Sequence, residues 1–115
     1  MVDFRRGDIV IVNLESTKGS EQRGVRPCII LQNDVGNKFS PTTIIAPLTS
    51  RKMSKSYPTN VELLRSDSHL EKDSTIMLNQ ITTIDKSRIS RKVSSLSSDL
   101  MSKVDMAIKI SLSLH

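Results

Sequence analysis

Hydrophobic residues along this chain fall into short runs as far as Val93 and then change period. Asp8 to Leu14 reads Asp-Ile-Val-Ile-Val-Asn-Leu, dense in β-branched side chains, and predicts a strand. Val25 to Gln32 predicts a second, with Pro27 near its start, where a missing N–H is tolerated. Thr42 to Leu48 predicts a third, and shorter strands follow at Thr59 to Leu64, Thr75 to Leu78, Thr82 to Ile84 and Ile89 to Val93. Beyond them Leu96, Leu100, Met101, Val104, Ala107, Ile108 and Leu112 recur at helical spacing. Ser97 suits an N-cap and Asp99 puts negative charge in the first turn, so a helix is predicted from about Ser98 to Leu112. One terminal helix must bury its apolar stripe against the strands. The expected class is therefore α+β, mainly β: a bent antiparallel sheet or small β-barrel closed or covered by a C-terminal α-helix.

The connecting segments are polar. Glu15 to Gly24 is longer than a tight hairpin needs, and loops of that kind often carry function. Asn33 to Pro41 has strong turn chemistry and reads as a loop, and Arg51 to Tyr57 as a basic one. No internal repeat is present. The 115 residues suit one domain spanning 1–115. The aliphatic runs, such as Ile9 to Val12 and Cys28 to Leu31, fall far short of the ~20 residues of a membrane span. The N-terminus lacks an apolar leader region, so a cytoplasmic protein is expected.

Charge narrows the partners. A formal net charge of +5 and a pI near 9.7 favour an anionic one: nucleic acid, an acidic protein or a membrane surface. Cys28 is the single cysteine and lies inside an apolar run, where a buried packing role is expected. The two histidines are His69 and the terminal His115, a poor basis for an acid–base pair. The acids lack metal-ligand spacing, so neither a metal nor another cofactor is expected. With only three aromatics, Phe4, Phe39 and Tyr57, a stacking platform is poorly supplied. Any RNA bound here must be held mostly by charge and polar contacts.

The most informative segment is Gly19-Ser20-Glu21-Gln22-Arg23-Gly24-Val25-Arg26-Pro27, preceded by Lys18. It gathers small donors, a carboxylate, an amide and two guanidiniums in one loop that feeds a strand. A guanidinium presents a planar fork suited to bidentate phosphate contacts. The same composition also fits an ordinary polar hairpin loop. Thr49 ends the third strand, where its hydroxyl can reach a phosphoryl oxygen or simply bond the backbone of a turn. Two basic clusters, Arg51, Lys52 and Lys55, and Lys86, Arg88, Arg91 and Lys92, either neutralise phosphates or form solvated faces.

Taken together, many short segments resemble the MazF/PemK family of toxin endoribonucleases, the mRNA interferases of type II toxin–antitoxin systems. They are Arg6-Gly7-Asp8-Ile9, Gly19-Ser20-Glu21-Gln22, Val25-Arg26-Pro27, Gln32-Asn33-Asp34-Val35-Gly36-Asn37, Ser40-Pro41-Thr42, Ala46-Pro47-Leu48-Thr49, Asp73-Ser74, Asn79-Gln80-Ile81 and Thr83-Ile84-Asp85-Lys86. Lys103-Val104-Asp105 and Ile110-Ser111-Leu112 carry the resemblance into the helix. It runs in order over nearly the whole chain.

The resemblance implies an SH3-like barrel with a terminal helix, acting as a homodimer. It implies metal-independent cleavage of single-stranded mRNA at short sequence sites, leaving a 2′,3′-cyclic phosphate and a 5′-hydroxyl. It carries the catalytic pair onto Arg26 and Thr49, and it makes Ser20, Glu21 and Gln22 a gate and RNA contact. Glu21 or Arg26 could take part in moving protons. Further RNA contacts are expected from Lys18, Arg23, Asn79, Gln80, Arg51, Lys52, Lys86 and Arg88. Arg23 stands where glycine is more usual and Asn79 where glutamate is, which ties both to the choice of cleavage sequence. An acidic cognate antitoxin is the implied partner. Two other readings fit the same fold: a nucleic-acid-binding barrel without catalysis, and a gyrase-poisoning toxin, to which the contexts of Arg26 and Thr49 match less well.

Overall fold

The computed structural model describes residues 3–14, 24–51 and 55–115. Its strands are β1 (Asp8–Asn13), β2 (Val25–Ile30), β3 (Thr42–Thr49), β4 (Asn60–Leu63), β5 (Ser74–Met77), β6 (Thr82–Asp85) and β7 (Ile89–Ser95). Helix α1 (Asp34–Phe39) precedes β3, α2 (Arg65–Ser68) follows β4, a 3-10 turn (Lys86–Arg88) precedes β7, and α3 (Ser98–Ser111) ends the order. All pairings are antiparallel, in the sequence β4-β5-β3-β2-β1-β7, with β6 also on β3. The fold is the expected one: a bent antiparallel sheet with a C-terminal helix.

Strand β3 does the bending. Thr42 to Ile45 pair with β6, Ile45 to Pro47 pair with β2, and Leu48 and Thr49 pair with β5. Alternation along the strands separates two cores on opposite faces. Ile9, Ile29, Ala46 and Leu48 face one, which β4 and β5 extend through Val61, Leu63 and Ile76. Val104 and Ala107 of α3 seal that core, as the helical spacing predicted. Val10, Val12, Cys28, Ile30 and Ile45 face the other, with Ile84. Ser97 caps α3, its hydroxyl accepting from the Leu100 N–H at 3.3 Å. The Arg6 guanidinium ties α3 to the barrel, donating to Asp105 at 2.6 Å and to the Leu31 carbonyl at 2.8 Å. Among the described residues no helix is long and apolar enough to cross a membrane.

The 33–41 segment departs from expectation, because it holds a helix rather than a loop. Asn33 caps α1 by accepting from the Gly36 N–H at 2.8 Å. The buried Asn37 amide then fastens the helix. It donates to the Gln32 carbonyl at 2.9 Å and to Asp34 at 3.1 Å, and it accepts from Gln32 Nε2 at 3.2 Å and Thr43 Oγ1 at 2.7 Å. Asparagine, aspartate and glycine are turn formers in sequence; here their side chains serve as caps and cross-links.

Candidate active site

Strand β2 emerges from the 15–23 segment at Gly24, whose φ of +83° lies where L side chains are strained. The Gly24 carbonyl accepts from Leu14 N at 2.9 Å and so closes the base of that segment. Arg26 follows, opposite Val12 of β1. Between β2 and β3 the register runs Ile30 to Ile45, Ile29 to Ala46 and Cys28 to Pro47. Pairing stops there, as fits a proline with no N–H to donate. Carried two residues further, the same register sets Arg26 across from Thr49, at the rim of the core face that holds Cys28 and Ile45.

The two side chains differ in setting. Arg26 is half-buried. Thr49 is buried at 6% exposure, and its Oγ1 accepts from the Arg51 N–H at 3.1 Å. That is the turn-threonine bond foreseen from sequence. It occupies a lone pair and leaves the hydroxyl proton for a further acceptor. Two residues along β2, Cys28 is fully buried and its thiol points at the Arg26 carbonyl, 3.7 Å away. Burial pushes the Cys28 thiol up to about 12 against a smaller opposing pull from Arg26, so it is a packing residue and not a nucleophile.

The other expected contacts scatter. Arg51 is exposed, two residues after Thr49. Asn79 and Gln80 form the turn between β5 and β6, fixed by Gln80 N on the Met77 carbonyl at 3.1 Å. That turn lies beside the middle of β3, between the stretches paired with β5 and with β6. Arg88 reaches the Asn13 carbonyl at 3.4 Å, one residue past the position opposite Arg26. Lys86 is not brought to the site. Its ammonium donates to the Asn37 carbonyl at the end of α1, beside the start of β3. Thr49 is at the other end of that strand, roughly 20 Å away at ~3.3 Å per residue. Lys92 likewise turns inward to the buried Asp8, 3.3 Å away. Lys18, Ser20, Glu21, Gln22, Arg23 and Lys52 lie outside the described residues.

Beside Thr49 the surface opens into a cleft of about 910 Å³ between the β3 end, β4, β5 and α3. Thr49, Arg51, Glu62, Thr75, Lys103 and Met106 are among its walls. The sequence reading missed Glu62, Thr75 and Lys103. Each belongs to an ordinary strand or helix: the pairing of β5 with both β3 and β4 brings Glu62 and Thr75 into line with Thr49, and the packing of α3 brings Lys103 to the same cleft.

These features define a small, basic, mainly β protein: a bent antiparallel sheet covered by one helix, with a half-buried guanidinium near the start of β2 and a buried hydroxyl at the end of β3. The family comparison agrees: residues 5–112 match the model for the PemK-like, MazF-like toxin of type II toxin–antitoxin systems. The chain belongs to the MazF/PemK family of toxin endoribonucleases. It is 50% identical to "Endoribonuclease MazF" of Staphylococcus saprophyticus over 97% of this chain and 93% of that one. Its fold matches the crystal structure of MazF (Form-I) from Deinococcus radiodurans at a TM-score of 0.83, with 24% identity over 99% of this chain and 100% of that one. A mycobacterial endoribonuclease solved in complex with its cognate antitoxin matches at 0.81, with 22% identity over 96% of each chain.

Proposed function

We propose that this chain is the toxin of a toxin–antitoxin pair, one catalytic unit spanning 1–115 that cuts single-stranded mRNA at short sequence sites in the cytoplasm and so stops translation and growth. The observation that carries the reading is the β2–β3 pairing, which ends at Cys28 and Pro47, two residues short of Arg26 on one strand and of Thr49 on the other. In the proposed reaction the ribose 2′-oxygen attacks the adjacent phosphorus and the 5′-oxygen leaves. The products are a 2′,3′-cyclic phosphate and a 5′-hydroxyl. Negative charge builds on the phosphoryl oxygens in the transition state. A guanidinium fork and a threonine hydroxyl held in fixed positions stabilise that charge without reorganising. A guanidinium stays protonated and is a poor general base, so charge stabilisation is its assigned role.

Two further parts belong to this reading. Ser20, Gln22 and Arg23, with Arg51, Asn79, Gln80 and Arg88, contact the RNA around the cut. Two copies associate, with Ile110 of α3 and Leu112 and Leu114 just beyond it, all exposed apolar residues, as the proposed contact surface.

Incubating the pure protein with a long RNA in excess EDTA tests the proposal, beside an oligonucleotide carrying one 2′-deoxy sugar on the 5′ side of the cut. Cleavage of the RNA with chelator present, and resistance of the deoxy substrate, are expected. Bound but intact RNA points instead to a non-catalytic binding barrel. Efficient cutting of the deoxy substrate points to water as nucleophile and ends the 2′-oxygen mechanism.

A further inference from the structure

Directly opposed residues of an antiparallel pair project to the same face of the sheet. Thr49 of β3 opposes Thr75 of β5, and Thr75 opposes Glu62 of β4. The three form one row across three strands, running outward from Thr49, which is buried, through Thr75, half-buried, to Glu62, exposed. All three line the same cleft. At ~4.8 Å between neighbouring strands, Glu62 stands roughly 10 Å from Thr49. That is the distance from a phosphate to the hydrogen-bonding edge of a base on a neighbouring nucleotide, not to another oxygen of the same phosphate.

The chemistry of the row follows from charge. The same cleft carries Arg51 and Lys103, which suit phosphates. A carboxylate repels phosphates, and when ionised it is acceptor-only. Its favourable partners on RNA are the amino and imino hydrogens of bases. Single-stranded RNA is read on those unstacked base edges. Uracil presents one imino N–H on that edge, set between two carbonyl oxygens that repel a carboxylate, whereas adenine, cytosine and guanine each present an amino group.

We infer that Glu62, with Thr75 beside it, reads the base of a nucleotide flanking the cut and selects an amino-bearing base over uracil. The inference rests on the ribonuclease reading above and assigns its specificity to the β5–β4 side of the cleft. Thr75 supplies a hydroxyl that orients the base or bridges it to Thr49, so it is a positioning residue.

The test is a pool of RNA randomised around a cut site, digested by the parent protein, Glu62→Gln, Thr75→Val and Glu71→Gln, with the cut ends sequenced. The same pool made with 2′-deoxy sugars is used for binding selection. The expected result is one flanking position at which the parent disfavours uracil. Glu62→Gln, whose amide can donate to a uracil carbonyl, should raise uracil there relative to the other bases by about tenfold or more, the scale of one base contact. Thr75→Val should shift the same position by less. Glu71 is exposed and not among the cleft's walls, so Glu71→Gln should keep the parent's ratios. Identical base ratios at every position for the parent and Glu62→Gln overturn the inference. If the parent cuts nothing, the ribonuclease reading fails by itself, and the ratios in the deoxy pool still decide whether Glu62 reads a base.

Discussion

At the scale of single residues, the proposed site turns on what an arginine at position 26 can do that another cation cannot. A lysine offers a point charge on a flexible stem, whereas arginine offers two parallel donors to two phosphoryl oxygens. Arg26→Ala should lower the cleavage rate by at least ~100-fold, the scale of losing one transition-state donor. Arg26→Lys should recover only part of it, and Thr49→Ala should act in the same direction as Arg26→Ala. RNA affinity should fall far less in all three. Single-turnover cleavage beside binding to an uncleavable oligonucleotide measures both, and near-normal cutting by a folded Arg26→Ala removes Arg26 from the chemistry. Cys28 makes a separate prediction. Its thiol rises from an ordinary 9.0 to about 12 in the fold because burial disfavours the thiolate. Unfolding therefore frees a group that ionises more easily. The stability this gives is fully present below pH 9 and is lost as pH rises from 9 toward 12. Denaturant midpoints of the parent should fall more steeply over that range than those of Cys28→Ala. Equal slopes would show that the thiolate is already tolerated in the native core.

At the scale of elements, α1 and its Asn37 are the clearest case of a local structure held by side chains. Removing the amide leaves Gln32 Nε2 and Thr43 Oγ1 each short of an acceptor. Gln32 keeps the Thr42 carbonyl at 3.0 Å, so Thr43 loses most. Asn37→Ala should cost about 1–3 kcal/mol, the scale of an unsatisfied buried polar group. It should spare cleavage per folded molecule, since α1 lies at the opposite end of β3 from Thr49. Urea unfolding and activity of the folded fraction check the two halves. This element was illegible in sequence for a physical reason. Six residues are too few to show helical periodicity, and Asn33, Asp34, Gly36 and Asn37 are also turn formers. Strands β1, β2 and β3 were legible because their burial alternates or runs continuously, and α3 because Val104 and Ala107 sit within a long apolar stripe. The lysines divide the same way. Lys86 and Arg88 are two residues apart in sequence, yet one ammonium caps α1 and the other guanidinium lies by β1 near Arg26. Direction of that kind is set by tertiary packing. The row from Thr49 to Glu62 was hidden likewise, since its members are separated by up to 26 positions and only strand pairing joins them.

At the scale of the whole molecule, the proposed attack on the cell's own messages requires that the toxin be held inactive until needed. Among the described residues Thr49 lines an open cleft, so control is expected to fall to a second molecule. An acidic, extended polypeptide has the chemistry to supply it. It mimics the charge of RNA, and it orders only on contact, so it can cover a long surface. The net charge of +5 and the cations Arg51, Arg88 and Lys103 favour such a partner. For this chain the expected partner is an acidic cognate antitoxin that lies over the cleft of a toxin dimer and excludes RNA. Raising salt should weaken the ionic part of that contact, while apolar anchors persist. Competition between the antitoxin and an uncleavable RNA is the decisive measurement. The apparent RNA affinity should fall in proportion to antitoxin added, with no ternary complex. Arg51→Glu should weaken both ligands together, because both use the same cations. Saturating antitoxin and RNA bound at once, each at full affinity, would mean that inhibition works from a distant surface and that the cleft is left uncovered.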